Sequence, residues 1–242
     1  MAQLRDRLAD SDEIAAARRQ KTQVVYQALV ATYGLRVWNS NLDPLAELIM
    51  TILSQHTSDK NSGRAFSNLL HTFKNDWLAV MNAPTDQVAA AIKSGGLANI
   101  KSKRIQEVLA EIYNRYGSLN LDFLDTLPLQ AARDILNSFR GVGPKTTACV
   151  MMFSLGKPVL PVDTHVHRVS QRVGLIGPKV NAELAHIRLE AQLQPEQIYN
   201  FHVNMITHGR EVCKAPRPRC EVCSLQKWCD YYHQVFLPAQ RL

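Results

Sequence analysis

Four of the five cysteines in this 242-residue sequence crowd together near its end, as Cys213-x6-Cys220-x2-Cys223-x5-Cys229. Four thiolates so close can hold a cubane iron–sulfur cluster, one on each iron. They can equally take the four vertices of a tetrahedral zinc site. Structural zinc sites more often use two short cysteine pairs, whereas here one Cys-x-x-Cys is flanked by longer gaps, so the spacing favours iron–sulfur and leaves zinc open. Arg210, Lys214, Arg217 and Arg219 surround the first of these cysteines. They can offset the charge of a cluster, face phosphate groups, or form a solvated basic loop.

A second chemical signal is Phe139-Arg140-Gly141-Val142-Gly143-Pro144-Lys145-Thr146, set between two helical patterns. Gly141 and Gly143 permit a tight connection with unusual dihedrals. They also uncover backbone N–H groups at the start of the next helix, a good place for a phosphate. A plain interhelical turn is the other reading. Lys145 stands at that helix start, where the dipole and some desolvation favour its neutral amine. A phosphate contact is the first role such a lysine suggests; Schiff-base nucleophile is the second.

Asp163, in Pro161-Val162-Asp163-Thr164-His165, immediately precedes an apolar-periodic segment. It reads as a helix N-cap. The same fixed carboxylate can stabilise a cationic sugar transition state and take part in proton transfer. His165 and His167 lack the spacing or acidic neighbours for a further metal site.

These residues need a scaffold, and the periodicity is helical nearly throughout. A helix start is expected at Asn39-Ser40-Asn41-Leu42-Asp43-Pro44, followed by Leu45, Leu48, Ile49, Ile52 and Leu53 at helical spacing. Further segments are expected from Thr22 to Tyr33, around Phe66–Phe73, from Pro84 to Gly96, and from Ile105 to a stop at Gly117. Others approach Phe139, begin near Lys145 and at Asp163, and cover Val180–Leu193 and Ile198–Thr207. No series of alternating strands and no internal repeat is found, so the fold class is all-α. Lys and Arg outnumber Asp and Glu by 28 to 21, a net charge of +7 that favours a polyanionic partner. Met1 to Gln20 has no apolar run of the secretory kind, and no segment reaches bilayer length. The expectation is a cytoplasmic protein with reduced thiols.

Taken together, these motifs resemble the endonuclease III branch of the helix-hairpin-helix DNA glycosylases. The resemblance covers nearly the whole folded chain. It is carried by Leu53-Ser54-Gln55-His56-Thr57-Ser58-Asp59, Gly96-Leu97, Gly141–Thr146, Val162–His165, His208-Gly209-Arg210 and the four-cysteine segment. It implies a two-lobed helical glycosylase fold with a helix-hairpin-helix motif. A six-helix domain would span residues 38–157, and a discontinuous iron–sulfur cluster domain 1–37 plus 158–242, with DNA bound across the groove between them. It implies Lys145 as the attacking amine, Asp163 as the essential carboxylate, and a [4Fe-4S] cluster on Cys213, Cys220, Cys223 and Cys229. Leu97 would wedge into the duplex while His56 fills the space of the extruded base; Gly141, Gly143, Lys145 and Arg210 would contact the DNA.

The implied protein is a monomeric bifunctional DNA glycosylase and abasic-site lyase, acting on damaged bases of the oxidised-pyrimidine class in double-stranded DNA, without membrane association. Two alternatives are a monofunctional mismatch glycosylase, whose members generally lack the lysine, and a non-catalytic DNA-binding redox or damage sensor. The chain departs from the family pattern at Phe139 and Arg140, where Leu-Pro is frequent, and at His56, Ala98 and Pro144. Those departures bear on lesion choice and phosphate contact.

Overall fold

The computed structural model describes residues 12–40 and 42–240. Among them every regular element is helical, and the chain divides into two compact units. One is formed by Asn39–Lys157, the other by the described residues of Met1–Trp38 and Pro158–Leu242.

The Asn39–Lys157 unit is organised around an apolar helix, Pro44–Ser54 (α2). Asp43 caps it, its carboxylate accepting from the Ala46 N–H at 2.8 Å, and Pro44 occupies the first turn, where its missing N–H costs nothing. Asn41, part of the expected helix start, lies outside the described residues. Leu45, Leu48, Ile49, Ile52 and Leu53 are buried almost completely. Each such side chain contributes about 1.5–3 kcal/mol by leaving water. Around α2 pack Asp59–Thr72 (α3), Ala98–Tyr116 (α6), Pro144–Cys149 (α8) and the π-helical turn Val150–Ser154 that prolongs α8. The remaining helices of this unit are Trp77–Asn82 (α4), Thr85–Ala91 (α5) and Leu129–Ser138 (α7). That makes seven α-helices among the described residues of the unit, against an expectation of six. α6 ends where expected, at Gly117, whose φ of 69° reverses the chain while its N–H closes on the Tyr113 carbonyl at 2.8 Å.

The other unit contains Asp12–Tyr33 (α1), Thr164–Val173 (α9), Ala182–Glu190 (α10) and Ile198–Glu211 (α11). α1 begins ten residues earlier than the apolar pattern suggested. Its first half is exposed and charged, so it has no buried stripe to read, but Asp12 and Glu13 suit the positive end of the helix. Thr22, Val25 and Leu29 then bury its second half. α11 packs on both α1 and α9. The contact with α9 is so close that a Cβ on Gly209 would stand 2.9 Å from the Cβ of His165. This accounts for the glycine of His208-Gly209-Arg210 as a packing requirement. Beside it His208 is buried, with Nδ1 3.0 Å from the Tyr33 hydroxyl, and burial holds its pKa down at about 4, so the ring is neutral.

Candidate active site

Lys145 lies in the first turn of α8, half-buried, at the exit of the turn that joins α7 to α8. The turn is made by Gly141 at φ +78°, a left-handed conformation that disfavours any side chain, with the Val142 N–H bonded to the Phe139 carbonyl at 3.0 Å. Gly143 differs from expectation: at φ −100° and ψ 177° it is extended, and its part is to serve as the N-cap of α8. Thr147 ties the two helices together by donating to Asn137 Oδ1 at 2.6 Å. The departures Phe139 and Arg140 also find their place here. Phe139 is 1% exposed with the Arg115 guanidinium over its ring, and the Arg140 N–H donates to Glu111 Oε2 at 3.2 Å.

Two side chains beside this turn carried no signal in the sequence. Arg104 reaches from α6 so that its guanidinium occupies the space a Cβ of Gly141 would take. Glu47, on α2, has its carboxylate held by the Thr51 hydroxyl at 3.1 Å. Its pKa is raised to about 7, because burial outweighs both the Thr51 hydrogen bond and the charge of Lys145. The folded protein therefore holds this proton more tightly than the unfolded chain. The resulting stabilisation is fully present below about pH 4.5 and is lost as pH rises through 7. Glu47→Gln, which cannot ionise, should therefore be more stable than the parent above pH 7, by about 3 kcal/mol, and match it in acid. Thermal melts of both proteins across that range check the sign; a variant less stable at high pH would contradict it.

His56 and Leu97, the two residues expected to enter the duplex, are both exposed and both left-handed, at φ 54° and 49°. Non-glycine residues in that region carry strain that the surrounding structure must hold, and such strain collects at working sites. The holding group is Lys101. It is 4% exposed, and its ammonium donates at 2.7 Å to the carbonyl of Leu53, three residues before His56, and at 2.7 Å to that of Gly95, two before Leu97. The Leu53 carbonyl belongs to the last turn of α2, where intrahelical partners run out. Burial lowers the Lys101 pKa. Lys101→Met keeps the length of the side chain but orphans both carbonyls. A loss of about 2–4 kcal/mol is expected, with slower base excision as Leu97 and His56 lose their setting. Calorimetry and single-turnover excision measure the two effects, and an unchanged melting temperature would remove the clamp.

In the second unit Asp163 is the N-cap of α9, Oδ1 accepting from the Val166 N–H at 2.8 Å. The buried extended segment that delivers it is held by polar partners. His186 Nδ1 meets the Leu160 carbonyl at 2.7 Å, His202 Nδ1 the Pro161 carbonyl at 2.9 Å, and Glu190 Oε2 accepts from the Leu160 N–H at 3.0 Å. Arg210 is exposed on the last turn of α11.

The expected [4Fe-4S] cluster, and with it an iron–sulfur domain, is corrected by the structure. Among the described residues no group of three or more His, Cys, Asp or Glu is arranged to hold a metal ion. Cys213, Cys220, Cys223 and Cys229 do line one small recess. Three of their sulfurs, however, are engaged by the protein. Arg172 Nη1 donates to Cys213 Sγ at 3.4 Å, the Leu225 N–H donates to Cys223 Sγ at 3.4 Å, and the Cys229 thiol donates to the Arg172 carbonyl at 3.4 Å. Burial and mutual repulsion push Cys220 and Cys223 up to about 11, and Cys229 is raised as well. Nor are they disulfides: none of the four is paired to another cysteine. The spacing in sequence gives proximity, and proximity alone does not make a ligand set.

With this geometry in hand, comparison with known proteins is direct. A family model for the HhH-GPD superfamily base excision DNA repair protein matches residues 49–195, more than half of the chain. Endonuclease III of Thermotoga maritima is 32% identical over 193 residues, covering 79% of this chain and 85% of that protein. An Arabidopsis thaliana relative with a provisional DNA glycosylase name is 34% identical over 73% of this chain, which spans 61% of its length. A solved trapped endonuclease III–DNA covalent intermediate, an estranged-adenine complex, superimposes with a TM-score of 0.78 at 25% identity, covering 90% of this chain and 98% of that one. The chain belongs to the HhH-GPD superfamily of base excision DNA repair proteins.

Proposed function

We propose that Lys145 and Asp163 do the chemistry by which this chain excises damaged bases from double-stranded DNA and then cuts the abasic strand. It is a bifunctional DNA glycosylase and abasic-site lyase of base excision repair. The observation that carries this reading is a half-buried lysine in the first turn of α8, set by the left-handed Gly141 turn, in a chain similar over most of its length to an endonuclease III trapped covalently on DNA.

The steps follow from the groups present. Leu97 wedges into the duplex and His56 takes the space of the extruded nucleotide, whose unstacking costs a few kcal/mol, less when the base is damaged. The Gly141–Gly143 turn and Arg210 hold phosphates, the positive charge of the chain making that binding salt-dependent. The neutral amine of Lys145 attacks C1′ as the glycosidic bond breaks. Asp163, fixed by its cap bond, stabilises the positive charge that develops on the sugar. The iminium formed between Lys145 and C1′ acidifies the C2′ proton, whose removal expels the 3′ phosphate by β-elimination. No step runs through the cysteines.

We assign oxidised pyrimidines as the substrate class and the cytoplasm as the setting. Among the described residues no helix is long and apolar enough to cross a membrane. Single-turnover excision on duplexes carrying an oxidised pyrimidine, a mispaired thymine or a mispaired adenine tests the assignment. Excision and 3′ cleavage should be fastest on the first. Release of a mispaired normal base without strand cleavage would replace this reading with a monofunctional mismatch glycosylase.

A further inference from the structure

Helix α2 is the apolar centre of its unit, yet its first turn carries a carboxylate that the steps above leave unused. Glu47 is half-buried between the buried residues Ala46 and Leu48, and its Oε1 accepts the Thr51 hydroxyl one turn on, at 3.1 Å. α2 packs directly on α8, the helix whose first turn carries Lys145, and the charge of Lys145 lowers the Glu47 pKa, less than burial raises it. Charges on the other elements around α2 are directed elsewhere. Lys101 is turned to two backbone carbonyls, Arg104 lies at Gly141, and Asp59, Lys60, Arg64 and His71 of α3 are exposed. Lys103, Glu107 and Arg115 of α6 are exposed too, and Glu111 accepts from the Arg140 N–H. The π turn, Val150–Ser154, carries no charge.

We propose that Glu47 is the proton acceptor for Lys145, taking a proton from the lysine ammonium so that the amine meets C1′ with its lone pair free. This rests on Lys145 being the nucleophile. One N–H bond of the ammonium breaks and one O–H bond forms on Glu47. The pair left on Nζ makes the bond to C1′ as the C1′–N bond breaks, and the pair of that bond leaves with the base. Glu47 returns its proton to solvent when the product departs. No electron acceptor or donor is needed.

Two physical arguments favour the transfer. When DNA covers the site and excludes water, an ammonium beside a carboxylate becomes costly, and moving one proton neutralises both. Burial has also brought Glu47 up to about 7, the range in which a general base works best near neutral pH. A carboxylate that a core helix would be more stable without is the kind of group retained for chemistry.

The test is borohydride trapping under single turnover on a duplex with a preformed abasic site, followed across about pH 5.5 to 9. The parent should show an acid limb near pH 7. Glu47→Gln should trap about 10²-fold more slowly at neutral pH, bind the duplex as before, and lose that limb, its rise moving to higher pH. Thr51→Val, nearly isosteric, removes the hydrogen bond that lowers the Glu47 pKa and should move the limb upward. If Glu47→Gln does not fold, Thr51→Val decides alone, and an unmoved limb overturns the proposal. An unchanged rate and profile in folded Glu47→Gln overturns it too. With Lys145→Gln inactive, that outcome leaves the nucleophile standing; normal trapping by Lys145→Gln overturns both roles.

Discussion

Lys145→Gln is expected to abolish the borohydride-trappable adduct and to lower base excision by on the order of 10³-fold or more, while the protein still folds and binds DNA. Glutamine keeps a polar side chain of useful length in the first turn of α8, so the Gly141 turn, the Thr147–Asn137 tie and the buried Thr146 are untouched. What disappears is the amine, and with it the Schiff base on which strand cleavage depends. The lyase should therefore be lost together with the adduct. Gel-resolved trapping and excision on one duplex give both numbers, with circular dichroism as the control for folding. A folded Lys145→Gln that forms the adduct normally would take Lys145 out of the nucleophile role.

Asp163→Asn should lower single-turnover excision by about 10²–10³-fold and leave the fold nearly as stable. Asparagine caps a helix about as well as aspartate, so the bond to the Val166 N–H survives and the stability change should stay below about 1 kcal/mol. The charge does not survive, and it is the charge that the proposed role of Asp163 at the cationic sugar requires. Cleavage of a preformed abasic site should suffer less, since no glycosidic bond remains to be broken. Comparing the two substrates thus separates the two roles of one carboxylate. Parent-like excision would reduce Asp163 to a helix cap.

Much of the scaffold was legible because its signals are local. Pro44 after Asp43, Gly117 after Tyr116 and Asp163 before an apolar stripe each act within one turn of chain, and the helices begin or end there. The groups that escaped detection depend on contacts distant in sequence. Lys101 reads as one more surface lysine until it is found bridging carbonyls that lie 48 and 6 residues away. Glu47 reads as the polar position of an amphipathic helix, and only the packing of α8 on α2 gives it a chemical neighbour. Left-handed backbone at Leu97 cannot be read from a residue type that rarely adopts it, and the greater tendency of histidine is too weak to have marked His56. The cysteines fail in the opposite sense. Their spacing is a strong local signal, but whether four sulfurs form a ligand set is decided by orientation and by the groups, such as Arg172, that engage them.

The central claim is that one amine, on Lys145, forms the covalent bond to DNA. The most direct measurement is to reduce the complex with borohydride on lesion-containing duplex, digest protein and DNA, and locate the sugar remnant by peptide mass spectrometry. The expected result is a single modified peptide carrying the remnant on Lys145, formed by the parent and absent in Lys145→Gln. A remnant on another lysine, such as Lys157, or base release by the parent with no covalent adduct, would contradict it.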